Sequence, residues 1–150
     1  MIIELIQLAS SFFLGLLVGS LLTEALILLP YWRAMDPEEF LNLHGSLGPR
    51  LYGYFAPLTI IATVLPVLAA ITSVVVGSSF FNLSIVPAII ILVMLFIYVL
   101  YFKGANESFK TGSVGIDGLS EELERWSKWH WVRVFLGLVA FLISLFILQL

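Results

Sequence analysis

Residues 51–102 read LYGYFAPLTIIATVLPVLAAITSVVVGSSFFNLSIVPAIIILVMLFIYVLYF, without one Asp, Glu, Lys, Arg or His. A helix needs about 20 apolar residues to cross the hydrocarbon of a bilayer, so this run is too long for one crossing and long enough for two. Its break falls at Gly77-Ser78-Ser79-Phe80-Phe81-Asn82-Leu83-Ser84, where Gly, Ser and Asn supply turn chemistry. The reading gives spans at 51–76 and 85–102, with Ser84 as a cap and Pro87 in the first turn of the second. Pro57 and Pro66 are expected to kink the first of the two.

Working outward, residues 5–29 form another apolar run, which Pro30 is expected to end, with Tyr31 and Trp32 at headgroup level. Residues 129–148 form a fourth, entered through Trp126, Trp129 and Trp131, which are expected to mark the interface. The fold class is therefore all-α: one domain, a bundle of four transmembrane helices. The N-terminal run has no basic region before it and no small-residue cleavage pattern after it, so it reads as a retained span. Asp36-Pro37-Glu38-Glu39 supplies an N-cap, a proline at the first helical position and an acidic first turn. A short interfacial helix over 37–45 is expected in loop 1, with Phe40, Leu41 and Leu43 facing the membrane or the bundle. Loop 3, residues 103–119, is expected to be flexible around Gly112–Gly118 and to end at Ser120, capping a helix that runs into the last span.

Composition agrees. The chain is 61 % hydrophobic and 11 % charged, against about 25 % charged in a soluble domain; its mean hydropathy is +1.09. It contains 0 cysteines, which removes disulfides, thiol catalysis and thiolate metal ligands. The 7 basic residues (Arg33, Arg50, Lys103, Lys110, Arg125, Lys128 and Arg133) all flank loops 1 and 3. By the positive-inside rule both loops are cytoplasmic and both termini extracytoplasmic. With no organelle-targeting segment, a bacterial plasma (inner) membrane is expected. The expected partners are the lipid bilayer, a hydrophobic aromatic or quinone-like ligand, and a second copy in a homo-oligomer. Nothing resembles a nucleotide-binding, zinc-hydrolase or nucleic-acid-binding motif.

Against this background Glu24 stands out. It lies six residues before Pro30, about 9 Å along a helix, and a carboxylate at that depth is costly unless it faces the bundle interior. His130 and Arg133, three apart on one helical face, lie at comparable depth. Arg133 reads either as a salt-bridge partner of Glu24 or as a side chain reaching the interface; His130 reads as a base or as an interfacial anchor. His44 in loop 1 and Asn106 and Glu107 past the third span are expected at the same end. Two histidines and a carboxylate are the minimum facial set for a non-haem metal, though their spacing here is not local. Tyr52, Tyr54, Tyr98 and Tyr101 would line a pocket for a flat aromatic ligand, or form the usual aromatic belt. Gly15-x-x-x-Gly19 and the small residues Gly137, Ala140 and Ser144 are expected to let the first and last helices approach closely.

Three stretches resemble the anthrone-oxygenase-like family of small four-helix membrane proteins, much of it of unknown function. They are the opening span with Gly15, Gly19 and Pro30; the segment Lys103-Gly104-Ala105-Asn106; and Arg125-Trp126-Ser127-Lys128-Trp129-His130-Trp131-Val132-Arg133 followed by Gly137 and Ala140-Phe141. Topology and length match over nearly the whole chain. Where relatives often carry a histidine before the proline that closes the first span, this chain has Leu29. The resemblance implies a cofactor-free oxygenation of an anthrone-like substrate. His130, with Glu24 or His44, would be the base, and Arg133 and Asn106 the oxyanion donors, with Tyr52, Tyr98 and Tyr101 toward the substrate. The competing expectation is a non-enzymatic accessory, carrier or assembly protein in which Glu24 and Arg133 form a structural pair. A channel or proton-coupled transporter ranks third.

Overall fold

In hydrocarbon every backbone N–H and C=O must be satisfied within the segment, so apolar runs of this length have helix as their only open form. The computed structural model describes residues 2–78 and 82–150, together with the backbone alone at Phe81. It contains α1 (Ile2–Thr23), a π-helical turn (Glu24–Leu28), α2 (Leu29–Ala34), α3 (Pro37–Val75), α4 (Phe81–Ile97), a second π-helical turn (Tyr98–Phe102), α5 (Lys103–Thr111) and α6 (Gly115–Ile147). The two π turns join their flanking helices end to end. Among the described residues the chain is thus 4 rods of 33, 39, 30 and 33 residues, each apolar enough to cross a membrane. Each rod packs on its sequence neighbours, and the first packs on the last, closing an up-down-up-down square.

Several boundaries differ from the expectations. Pro30 does not end the first helix: the chain stays helical to Ala34, with Pro30 in the first turn of α2. The preceding π turn, closed by Leu29 N–H on the Glu24 carbonyl five residues back, widens the helix just where the proline ring would crowd it. The segment 37–45 is no separate interfacial helix but the first turns of the continuous α3, which begins at Asp36, whose side chain accepts from Glu38 N–H at 2.9 Å. Pro49, Pro57 and Pro66 all lie inside this helix. Loop 3 shrinks to the turn at 112–114, where Gly112, at φ +73°, adopts the left-handed form that stops α5. Ser120 lies within α6 and caps nothing.

The break in the long apolar run is where turn chemistry placed it: α3 stops at Val75 and Gly77 has φ +65°. Ser79 and Phe80 lie outside the described residues. Because α4 begins at Phe81, Ser84 sits inside it, buried, and its hydroxyl accepts from Ser73 at 3.2 Å.

Rods of 30 to 39 residues measure about 45–60 Å, well beyond the roughly 30 Å of hydrocarbon. The excess lies at the charged end, and there a second core forms. The mid-bundle core centres on Leu14, Leu17, Leu21, Ala62, Ile91 and Val134. The end core is aromatic, built on Trp32, Phe40, Phe102, Phe109 and Trp126 with Leu119 and Leu123. Trp32 and Trp126 are therefore core side chains, whereas Tyr31, Trp129 and Trp131 stay exposed as interface rings do. The first and last rods meet closely. A Cβ on Gly137 would stand 3.1 Å from the Val18 side chain, and one on Gly15 3.0 Å from the Phe141 ring. Gly19 faces open space and takes no part.

Candidate functional site

The close approach at Gly137 brings the C-terminal part of α1 against α6 one turn from Arg133 and two turns from His130. At this level, between the two cores, lies a cluster of ionisable side chains in the bundle interior. His130 is 0 % exposed, Glu24 7 % and Arg133 8 %. His130 Nε2 lies 2.9 Å from the Leu21 carbonyl. A carbonyl only accepts, so Nε2 carries a proton, and in the neutral ring Nδ1 is the bare lone pair. Nδ1 faces Glu24 Oε2 at 3.6 Å, just beyond hydrogen-bonding distance, and has no partner among the described residues.

Arg133 completes the set. Its guanidinium carbon lies 4.4 Å from the Phe102 ring centre, a cation–π contact. It lies within electrostatic range of Glu24 and Tyr98. The salt bridge expected between Glu24 and Arg133 is not closed: the contact Glu24 makes within ion-pair distance is to His130. Arg133 Nε, buried, has no acceptor among the described residues. Side by side in a dry interior, the cluster therefore leaves one bare acceptor, His130 Nδ1, and one bare donor, Arg133 Nε.

Both π turns border this cluster. One begins at Glu24, and the other carries Tyr98 and ends at Phe102 beneath Arg133. Such turns, with one extra residue per turn, occur often at functional sites. No periodicity in the sequence announced them.

The remaining expected residues fall into three groups. Asn106 belongs to the support: its Oδ1 accepts from Trp126 Nε1 at 2.9 Å, and Trp126 stacks on His130 at 4.7 Å and 12°. His44 stands apart. Its Nδ1 lies 3.0 Å from the Phe40 carbonyl, its ring stacks on Phe40 at 3.9 Å, and Trp32 lies between it and Trp126. Glu107 is at the surface, paired with Lys110 at 3.2 Å. With His44 and Glu107 elsewhere, the facial metal set is not assembled, and among the described residues no three His, Asp or Glu side chains form a metal-binding group.

Of the tyrosines, Tyr98 stays half-buried near Arg133, and Tyr101 turns outward to donate to Glu122 Oε1 at 2.8 Å. Tyr52 is exposed, and Tyr54 shares a 2.7 Å hydrogen bond with Ser20. Tyr52 lies within electrostatic range of Tyr98.

Fold and site together define a small multi-pass α-helical membrane protein with a buried carboxylate, imidazole and guanidinium at one end of the bundle. No family model, no curated protein and no solved structure matches the chain.

Proposed function

We propose that the cluster is the proton-abstracting centre of a membrane oxygenase acting on an apolar aromatic or quinone-like molecule that reaches it from the bilayer. The observation that carries this reading is the pair of orphaned polar atoms, His130 Nδ1 and Arg133 Nε. A buried acceptor and a buried donor left unmade each cost about 1–3 kcal/mol, and a substrate that gives a proton to the first and an oxyanion to the second satisfies both. Charge balance supports it. Ionised Glu24, neutral His130 and cationic Arg133 sum to zero; after abstraction the cluster carries +1 against the −1 of the substrate anion. No net charge appears in the dry interior at either stage, which is the condition for electrostatic stabilisation to be effective there.

For an anthrone, the methylene C–H proton passes to His130 Nδ1 and Arg133 holds the oxyanion. Dioxygen, the oxidant, adds to the carbanion. One of its atoms remains as the new carbonyl and the other leaves as water, giving the anthraquinone. The resemblance of residues 125–133 to anthrone-oxygenase-like proteins adds to the case. With anthrone as probe and the purified protein in mild detergent, oxygen uptake above the autoxidation blank is expected, and His130→Ala is expected to lower it by about 10²-fold or more. Uptake unchanged in that variant, with the bundle intact, sinks the assignment.

The closed packing of the cluster favours a second reading, a non-enzymatic accessory or carrier in which the three side chains serve to orient the helices. That reading expects no uptake from either protein.

The basic residues at one end support cytoplasmic loops and extracytoplasmic termini in a bacterial inner membrane. The chain has 0 cysteines, so Ser113→Cys reports on a single site. An impermeant maleimide is expected to label it in inverted vesicles and not in intact cells; the opposite pattern reverses the topology.

A further inference from the structure

The other end of the bundle also departs from a plain apolar interior. Gln7 and Ser10 of α1, Ser84 of α4 and Ser144 of α6 line a cavity of about 10 Å³, together with Pro66 and Pro87. That is the space one water molecule needs. Ser10 is 3 % exposed. Ser144 donates to the Phe141 carbonyl at 2.7 Å, which leaves its oxygen lone pairs open. Pro66 and Pro87 have no N–H to give the carbonyls one turn earlier, those of Ala62 and Leu83. Gln7 and Ile147 also line a second cavity, of about 290 Å³, bounded by Glu4 and Ser78 at the end of the bundle. The two cavities thus share Gln7 and Ile147 in their walls.

Inward of Ser10 the character changes abruptly. Leu14, Leu17, Leu21, Ala62, Ile91 and Val134 are almost wholly buried and form an apolar layer. The ionisable cluster lies on its far side.

We propose that this end of the bundle is a water-filled half-channel. Its floor is a polar site where Gln7, Ser10, Ser84 and Ser144 bind one ordered water, and the leucine layer stops it. The inference does not depend on the chemistry assigned to the Glu24 cluster. It gives water access to the level of Ser10 from the face opposite the basic loops.

The test uses the full chain in nanodiscs, so that reagent reaches both faces, with Gln7→Cys, Ser10→Cys and Leu14→Cys made singly. The probe is a small cationic methanethiosulfonate, which reacts with the thiolate; a thiol in dry apolar surroundings is held protonated and slows about tenfold for each pK unit. The half-channel predicts that Gln7→Cys and Ser10→Cys react at least about tenfold faster than Leu14→Cys. Ser10→Cys as slow as Leu14→Cys overturns the polar floor, and all three slow overturns the crevice as a whole. Should Ser10→Cys fail to fold, transfer of magnetisation from water to the Ser10 amide in the unaltered protein decides the same point: its presence supports the floor and its absence overturns it.

Discussion

Arg133→Met is expected to cost the bundle about 3–5 kcal/mol, because it removes one member of a buried charge set and leaves the other behind. Arg133 is 8 % exposed and lies against the Phe102 ring, which is itself fully buried. Methionine fills much of the same volume, so the loss is electrostatic more than steric. What remains is the Glu24 carboxylate, 3.6 Å from His130 Nδ1. Adding Glu24→Gln removes the stranded charge and gives His130 Nδ1 an amide N–H to accept, so the double variant is expected to recover most of the loss. A coupling of up to about 3 kcal/mol is the size seen for residues sharing one network. Denaturant titration of the detergent-solubilised protein, across both single variants and the double, measures it. Simply additive losses would show that Glu24 and Arg133 do not act as a unit, and would remove the charge balance on which the proton-abstraction reading stands.

The sequence made this cluster legible by depth alone. Glu24, His130 and Arg133 stand a comparable distance from the charged end of their runs, and burial of all three follows because lipid tolerates none of them. The four rods, their hairpin at Gly77 and the gathering of basic residues at one end were legible for the same reason. What was not legible is how far helix persists outside the hydrocarbon. Falling hydropathy after Pro30 and Phe102 reads as loop, yet these stretches remain helical because they pack on one another. The signal was present in the spacing: Phe102, Ala105 and Phe109 share one face, as do Leu119, Leu123, Trp126 and His130, at i, i+4, i+7 and i+11. Phe40 and His44 repeat it at i, i+4. Interface tryptophans and core tryptophans, by contrast, look alike in sequence. Only the partner helix distinguishes Trp126 from Trp129. The register of the π turns was beyond reach as well, since an extra residue in one turn changes which carbonyl meets which side chain without changing composition.

That distinction between the tryptophans yields the second large effect. Trp126→Leu is expected to cost about 3–5 kcal/mol, the range for emptying a buried aromatic site, whereas Trp129→Leu, at a ring 41 % exposed, is expected to cost well under half of that. Trp126 makes edge contacts with Trp32 at 5.9 Å and with Phe102 at 5.4 Å, and it stacks on His130. Leucine leaves a void among these rings and takes away the N–H that Asn106 Oδ1 accepts. Two milder variants separate the contributions. Trp126→Phe keeps most of the ring stack and returns the exposed Asn106 side chain to water, for less than about 1 kcal/mol, whereas Asn106→Ala strands the buried indole N–H, for about 1–2 kcal/mol. The consequence reaches the ionisable cluster through geometry. The stack on Trp126 and the bond to the Leu21 carbonyl are what fix the His130 ring plane, and that plane aims Nδ1 at Glu24. Trp126 is thus a positioning residue, and the imidazole nitrogen resonances of His130 should shift in Trp126→Leu and stay in place in Trp129→Leu. Equal stability costs and an unmoved imidazole would mean that the aromatic core and the cluster are independent, and that His130 is held by the Leu21 carbonyl alone.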